Sequence, residues 1–588
     1  MRGSIRDEGG GGTGTTPAVP SDPPSEGGET SRKADFYRVP LRTYLWLVVP
    51  AAVGAVLGLA LAHREAGPTS TQAAANTTPV VRCCSVVSSP ERVYRPAHAR
   101  VGLTPLRQAL ASASSGVAAG STSVKIPQKN RDTVIPFSTQ PRTFEENAQP
   151  SDQTAPTIAP DPATVPAPPV QITDVHTMAL SPFSATIAWH TSEAVSSQVA
   201  YGLDSRTLWS AADPPALDHT AVVNGLAFDT TYRLWVDAHA ADGRTASSPF
   251  LLTTPALPAH VTGGTGGSAF LVDGQPYFPF MVWAACPDAY ASRLAAGIDL
   301  FMGKDCGSPA KQLSGLAGRG LLVSDAKDPA ADGAVGTFLP DEWDTFLPGN
   351  LTAAAAQRLL PNNGGGPRFL TLTNHFYSRA APLPQGRGMY PALIDNADVV
   401  GFDLYPLQNW CRFDDFGHVF DSQRELVQLA VGKPTFQWIE ARGMDCHDPT
   451  LNPTPATVHA ETWLSVAGGA HAMAYFPYDF SADIGSQIAS DKREIQTLVP
   501  ALLEPAIQAD AGNGQVRVGA RQHNGAIYVI AVNASRVSAT STISVPGLGD
   551  RSLVSLDGSR SVTAASGTFT DTFAPLEVHV YIAAPPTS

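Results

Sequence analysis

Charge is scarce in this chain. Asp, Glu, Lys and Arg make up 15% of its 588 residues, and 39 basic against 52 acidic residues leave a net charge of −13. There is no block of Lys and Arg, so the basic patch that meets phosphates is missing and nucleic-acid binding is excluded. Cysteine is sparse as well, six in all. That excludes a disulfide-dense mini-scaffold, and paired zinc-type spacing is absent. The remaining metal reading joins Cys446 and His447 to other cysteines; the expectation is no metal and no cofactor. Long apolar runs are missing with one exception, Thr43 to Ala62.

That exception is uncharged and about as long as a helix needs to cross a bilayer, roughly 20 residues. Arg32, Lys33, Arg38 and Arg42 precede it and only Arg64 follows closely. By the positive-inside rule the N-terminus is cytoplasmic and everything after it lies outside the cell membrane. A cleaved signal peptide is the rival reading, against which stand the length of the run and the long polar tail before it. Residues 1–42 are too polar and Gly-rich to offset chain entropy and read as a disordered tail. Residues 63–165, rich in Ala, Ser, Thr and Pro, read as a disordered stalk. Cys83 and Cys84 within it are either a cross-link between chains or incidental.

What is plentiful is glycine and proline, 51 of each. At this length three or four units are expected, joined by linkers and built largely from strands and loops. Residues 166–256 alternate in short runs such as Ala185–His190, Ser197–Tyr201 and Thr231–Ala238, which predicts an all-β sandwich. SATIAWHTSEAVSSQVAYG followed by VVNGLAFDTTYRLWVDAHAADG resembles a fibronectin type III domain. In that resemblance Trp189 is the core tryptophan, and Leu226 and Tyr232 form the corner in which a tyrosine hydroxyl ties a loop down. A spacer role is implied, with direct sugar or protein binding as the alternative.

Residues 266–503 repeat one unit, a short apolar run, a polar turn and a helix-like stretch. The runs are Phe278–Ala285, Gly297–Gly303, Gly320–Ala326, Val335–Pro340, Arg368–Thr373, Ala397–Tyr405, Lys433–Glu440 and Ala470–Phe476. Eight alternations in series predict a parallel (β/α)8 TIM barrel. Chemistry in such a barrel sits at the C-terminal strand ends. Those ends carry Trp283, Asp325, Asp341, Glu342, Asp344, Asn374, His375, Asp403, Tyr405, Trp438 and Glu440, whereas the strand starts read as plain. Asp341 and Asp344 also suit a helix cap or a loop salt bridge.

Glycoside hydrolysis needs two carboxyl groups flanking the scissile bond. LPDEWD after the fourth run and Glu440 after the seventh resemble the layout of the clan A retaining glycosidases, although many members have Asn where this chain has Asp341. The resemblance implies Glu342 as acid/base, its pKa raised by Asp341 and Glu440, and Glu440 as nucleophile. It implies Trp283, Tyr405, Trp410 and Trp438 as sugar-stacking rings, with His375 and Asp403 bonding hydroxyls and Asp325 as a further binding candidate.

The four remaining cysteines also follow strands. Four allow three pairings, and adjacency in the ring selects Cys286–Cys306 and Cys411–Cys446, in keeping with an oxidising compartment. Residues 504–588 return to strand alternation and predict an antiparallel β-sandwich. GTFTDTFAPLEVHVY resembles the β domain that closes many glycosidase barrels. The expectation is therefore a membrane-anchored extracytoplasmic glycoside hydrolase, retaining, with a glycan substrate. The alternative is a non-catalytic carbohydrate-binding or structural envelope or adhesion protein with a degenerate barrel. Sugar, linkage and oligomeric state are left open.

Overall fold

The computed structural model describes residues 167–328, 332–359 and 366–586. The expected tail, membrane span and stalk, with Cys83 and Cys84, lie outside the described residues. Among the described residues no helix is long and apolar enough to cross a membrane.

The first domain is a six-stranded antiparallel sheet folded about one long strand, Ser184–Gly202. Its first half pairs with Ile172–Leu180 and Asp213–Asn224. Its second half pairs with Thr231–His239, whose other neighbour is Thr245–Thr253. Alternation along the long strand turns Ile187, Trp189, Val199 and Tyr201 inward, all buried. Trp189 Nε1 donates to Ser197 Oγ at 3.0 Å, so the large ring is buried without an orphan donor. The Tyr232 hydroxyl accepts from Ala227 N at 2.8 Å and fixes the turn before its own strand.

A three-stranded hairpin ribbon, Gly263–Gly266, Ala269–Val272 and Gln275–Tyr277, leads into the barrel. The repeat pattern gave no sign of it. Phe270 and Val272 join the apolar core inside the barrel, with Phe270 5.5 Å from the Phe369 ring. The ribbon therefore plugs the barrel at the end where the strands begin.

The eight parallel strands close in sequence order. They are β1 Phe280–Trp283, β2 Leu300–Met302, β3 Leu321–Asp325, β4 Gly336–Phe338, β5 Arg368–Thr373, β6 Val399–Asp403, β7 Thr435–Glu440 and β8 Ala472–Phe476. All eight fall within the runs read from the sequence. Period two sorts each strand into an inner and an outer set. Met281, Leu300, Leu321, Phe369 and Phe436 fill the interior, and Phe280, Val282, Leu322, Leu370 and Phe402 pack outward under the helices. Gly401 makes this interior possible, since a Cβ there would lie 2.1 Å from the Phe436 ring.

The strand starts are not as plain as they read. Asp299, just before β2, is buried and accepts from Phe280 N at 2.8 Å and from Lys492 Nζ at 2.6 Å, with the Tyr277 hydroxyl as a third donor. It ties the ribbon, β1 and a late helix together at the base.

Helix α1, His418–Leu429, and helix α2, Pro455–Gly468, cover the barrel beside β6 to β8. Thr454 caps α2 in a capping box with Thr457, Pro455 occupies the first turn, and Gly469 ends it at φ 108°. Nearly every residue of α2 is buried, because the C-terminal domain lies over it. That domain is a six-stranded antiparallel sheet, including Val516–His523, Ala526–Asn533 and Val578–Ala583. Its core is shared with the two-stranded sheet of Ala539–Ser544 and Thr568–Phe573.

Candidate active site

A cavity of about 220 Å³ opens at the C-terminal ends of the barrel strands. Its walls come from six strands and their loops. β1 supplies Trp283; the segment after β4 supplies Asp341 and Glu342; β5 supplies Thr371. β6 and its loop supply Asp403, Tyr405, Gln408 and Asn409, and β7 and β8 with their loops supply Trp438, Met444, Asp445 and Phe476.

The aromatic wall is locked by its own contacts. Trp283 meets Phe338 edge-on at 4.7 Å and Trp438 at 6.2 Å. Trp438 Nε1 donates to Thr371 Oγ1 at 3.1 Å. Tyr405 and Phe476 stack at 6.2 Å on another side. Trp283 and Trp438 are 8% and 3% exposed. They floor the cavity with part of each ring and are not open platforms.

Three carboxyl groups converge there. Asp403 ends β6 and lines the cavity together with Glu342. Desolvation, then Glu342, then Asp341, hold the Asp403 carboxyl far above the usual carboxylate range. Burial and its acidic neighbours thus favour the protonated form of Asp403. Asp341 is pushed up to about 6, by desolvation first and the Glu342 charge second, with Lys304 pulling it down. Lys304 also sits 5.7 Å over the Trp283 ring, so this cation lies between the acids and the aromatic wall.

Glu342 takes a left-handed backbone, φ 44° and ψ 44°, a region that costs a non-glycine residue of order 1 kcal/mol or more. The next turn, Trp343–Phe346, is pinned by Asp344. That buried carboxylate accepts from Thr373 N at 3.1 Å, Thr373 Oγ1 at 2.7 Å and the Tyr390 hydroxyl at 2.8 Å. Asp344 fixes the loop to β5, and the loop holds Glu342 in a conformation it would not choose alone.

Of the residues expected at a sugar site, the structure brings Glu342, Trp283, Asp403, Tyr405 and Trp438 together. It does not bring Glu440 there. Glu440 is fully buried, and its two oxygens accept from Leu407 N at 2.9 Å and Gln408 N at 2.7 Å. Both donors belong to the loop whose Gln408 and Asn409 line the cavity, so the expected nucleophile stands behind that wall. Burial pushes Glu440 up to about 7 against three lowering hydrogen bonds. Its neighbour Glu461, on α2, is raised further by burial and by the Glu440 charge. Two facing carboxyls without a cation stay neutral or share a proton.

Three binding candidates also lie elsewhere. Asp325 accepts from Lys327 N at 2.9 Å and shapes its own turn. His375 Nδ1 is bound to the Ala381 carbonyl, within its loop. Trp410 packs beside His418 at 6.2 Å. None of the three lines the cavity.

Sequence reading passed over Asp341 as a cap, and missed Thr371, Gln408, Asn409, Met444 and Asp445. The last four share a support. Gln408 Oε1 accepts from Met444 N at 2.6 Å and Gln408 Nε2 donates to Leu451 O at 2.8 Å. The disulfide Cys411–Cys446 ties the same two loops, with Cα atoms 5.4 Å apart, and Cys286–Cys306 ties the loops after β1 and β2. Both expected disulfides form. The one legible sign of the buried pair was Glu461, the lone carboxylate in the run from Val458 to Gly469.

No protein-family model and no curated protein matches this chain. Solved structures do. An alpha-galactosidase I from Mortierella vinacea aligns at 10% identity and TM-score 0.36, over 52% of this chain and 97% of that one. A maltogenic alpha-amylase from Thermotoga neapolitana aligns at 9% and 0.34, over 52% and 98%. A GH27 β-L-arabinopyranosidase from Geobacillus stearothermophilus aligns at 13% and 0.31, over 51% of this chain and 62% of that one. With scores below 0.5, the barrel rests on the chain's own closed strand pairing, and what the chain does has to be argued from its cavity.

Proposed function

We propose that the protein is a glycoside hydrolase whose acid is Asp403 and whose second carboxyl is Glu342. The observation that supports this most directly is the meeting of Asp403 and Glu342 in one cavity walled by tryptophan and tyrosine. Glycoside cleavage needs one protonated carboxyl to give its proton to the leaving oxygen. It needs a second, ionised one to attack the anomeric carbon or to activate water. Burial and neighbouring acids favour the protonated form of Asp403, which suits the acid role. The acid role falls to Asp403, in place of Glu342, and the strands involved are β4 and β6 instead of β4 and β7. Aromatic edges and hydroxyl-bonding groups such as Thr371 and Asn409 suit a sugar ring. At about 220 Å³ the space lies under the roughly 300–1,000 Å³ of larger ligand sites, which favours a single terminal sugar over a bound chain.

The retaining outcome belongs to the same proposal. Retention needs the two carboxyls about 5–5.5 Å apart around the bound sugar. A second reading, a barrel that binds glycan without cleaving it, is favoured by the position of the expected nucleophile Glu440 outside the cavity. The wider architecture remains part of the proposal. It comprises a membrane anchor at residues 43–62, extracytoplasmic domains, and a fibronectin type III module whose corner is supported by the Tyr232 contact.

The test is hydrolysis of a panel of aryl and unactivated glycosides by the full-length protein. Asp403→Asn should lose about 10²–10⁴-fold on unactivated glycosides and much less on substrates with a good leaving group. Glu342→Gln should lose activity on both. Glycan binding without turnover by the unaltered chain would establish the second reading.

A further inference from the structure

The strand Val516–His523 carries Arg521 into the seam between the barrel and the C-terminal domain. Arg521 is 3% exposed. Among the described residues its one hydrogen bond is from Nη1 to the Ala520 carbonyl at 2.9 Å, and its Nε meets no partner. No carboxylate among the described residues pairs with it. Burial alone moves it, down to about 10, with no neighbouring acid pulling the other way. It therefore stays charged at neutral pH.

The groups around it do not neutralise it. His471 is buried and pushed down to about 3, by burial and then by Arg521 itself, so it is uncharged. Gly469, just past the end of α2, approaches so closely that a Cβ there would lie 3.5 Å from Arg521 Nη2. The helix end offers a partial negative charge, but its carbonyls make no hydrogen bond to the guanidinium. An uncompensated buried charge costs several kcal/mol, and the described chain supplies no counter-charge.

Arg521 also lines a cavity of about 320 Å³ between α1, α2 and the first strands of the C-terminal domain. Arg424, Gln428 and Gln508 line it too, and no Asp or Glu does. Arg424 is exposed and lies 5.4 Å from the Phe420 ring centroid. In a chain of net charge −13, a cavity with two arginines and no acid stands apart.

We infer that this cavity binds an oxyanion, a carboxylate or phosphate group of a small ligand or of a glycan, held by the buried fork of Arg521 and by Arg424. A planar guanidinium pairs with two oxygens of such a group at once, and the two glutamine amides can donate to the rest. The site is separate from the carboxyl cluster of the barrel mouth and does not depend on the hydrolase reading.

The experiment is isothermal titration of the full-length protein with inorganic phosphate, and separately with glucuronate, at fixed ionic strength. One saturable site is expected. Arg521→Gln should abolish it and Arg424→Gln should weaken it about tenfold, a loss in the range of one charge-assisted contact. Gln508 is exposed, so Gln508→Glu should fold normally and abolish binding by supplying the missing counter-charge. Tighter binding of phosphate would identify a phosphorylated ligand, and tighter binding of glucuronate a uronate. No saturable binding of either anion to the unaltered protein would overturn the inference. So would binding unchanged in Arg424→Gln and Gln508→Glu, and these two variants decide the matter if Arg521→Gln does not fold.

Discussion

Two carboxyl pairs in this barrel look alike in sequence and differ in surroundings. Asp403 and Glu342 meet in a cavity that admits a ligand; Glu440 and Glu461 meet where nothing can enter. Glu440 serves the site by holding Leu407 and Gln408 in place. Glu440→Gln keeps one acceptor oxygen and should lower kcat/KM only about tenfold, the effect of one strained loop hydrogen bond. A loss as deep as that of Asp403→Asn would return Glu440 to the chemistry. The buried pair also makes a pH prediction. Both folded pKa values are raised above the usual carboxylate value, Glu440 to about 7. The folded state then holds more protons than the unfolded one between roughly pH 4.5 and 7, and stability falls as pH rises through that window. Thermal melts from pH 5 to 8 should show this fall, and Glu461→Gln should flatten it. An unchanged slope in the variant would place the titration elsewhere.

At the scale of elements, the cavity depends on loops that two unrelated devices hold together. The Cys411–Cys446 disulfide closes 35 residues, and Gln408 bridges the same loops by hydrogen bonds. Replacing both cysteines by alanine should cost about 2–4 kcal/mol and raise KM more than it lowers kcat, since Met444 and Asp445 lose their anchor while Asp403 and Glu342 do not. Equal loss in both constants would mean that the loop also positions the acids. The base of the barrel works by other means. Asp299 gathers Tyr277, Phe280 N and Lys492 in a buried cluster. Asp299→Ala strands the Lys492 charge and should cost about 3–5 kcal/mol, measured by denaturant unfolding, with kcat per folded molecule unchanged.

How much of this was legible differs between elements. All eight strands were visible, because each pairs an apolar β-branched or aromatic core with polar flanks, and eight such units in series admit few architectures. The ribbon Gly263–Tyr277 was not, because short glycine-rich strands read as a linker until Phe270 is seen inside the barrel. Glu440 was misplaced for a similar reason. Strand periodicity locates a residue at a strand end but does not say whether the following loop folds over it.

For the whole molecule, the described domains share contacts that are too specific for beads on a string. Thr207 Oγ1 donates to the Thr497 carbonyl at 2.9 Å, the Tyr528 hydroxyl donates to Thr207 O at 2.9 Å, and Asn524 Nδ2 donates to Trp209 O at 2.7 Å. The segment Thr207–Trp209 of the first domain thus binds both later ones. Gly519 lets the C-terminal sheet settle onto α2, where a Cβ would lie 2.2 Å from the Ala467 carbonyl oxygen. Calorimetry should therefore give one cooperative transition for the three domains, and Gly519→Val should split it. Separate transitions in the unaltered protein would mean that the docking contributes little.

The sequence by itself determined the eight-strand ring and both disulfide pairings, since these follow from local periodicity and from adjacency along the ring. Only the tertiary structure decided which carboxyls face one another. Whether an acid at a strand end meets a cavity, a backbone amide or another acid depends on chain that returns from elsewhere. Glu440 shows the point, because Leu407 and Gln408 came back from the preceding strand's loop to claim it and left Asp403 to face Glu342.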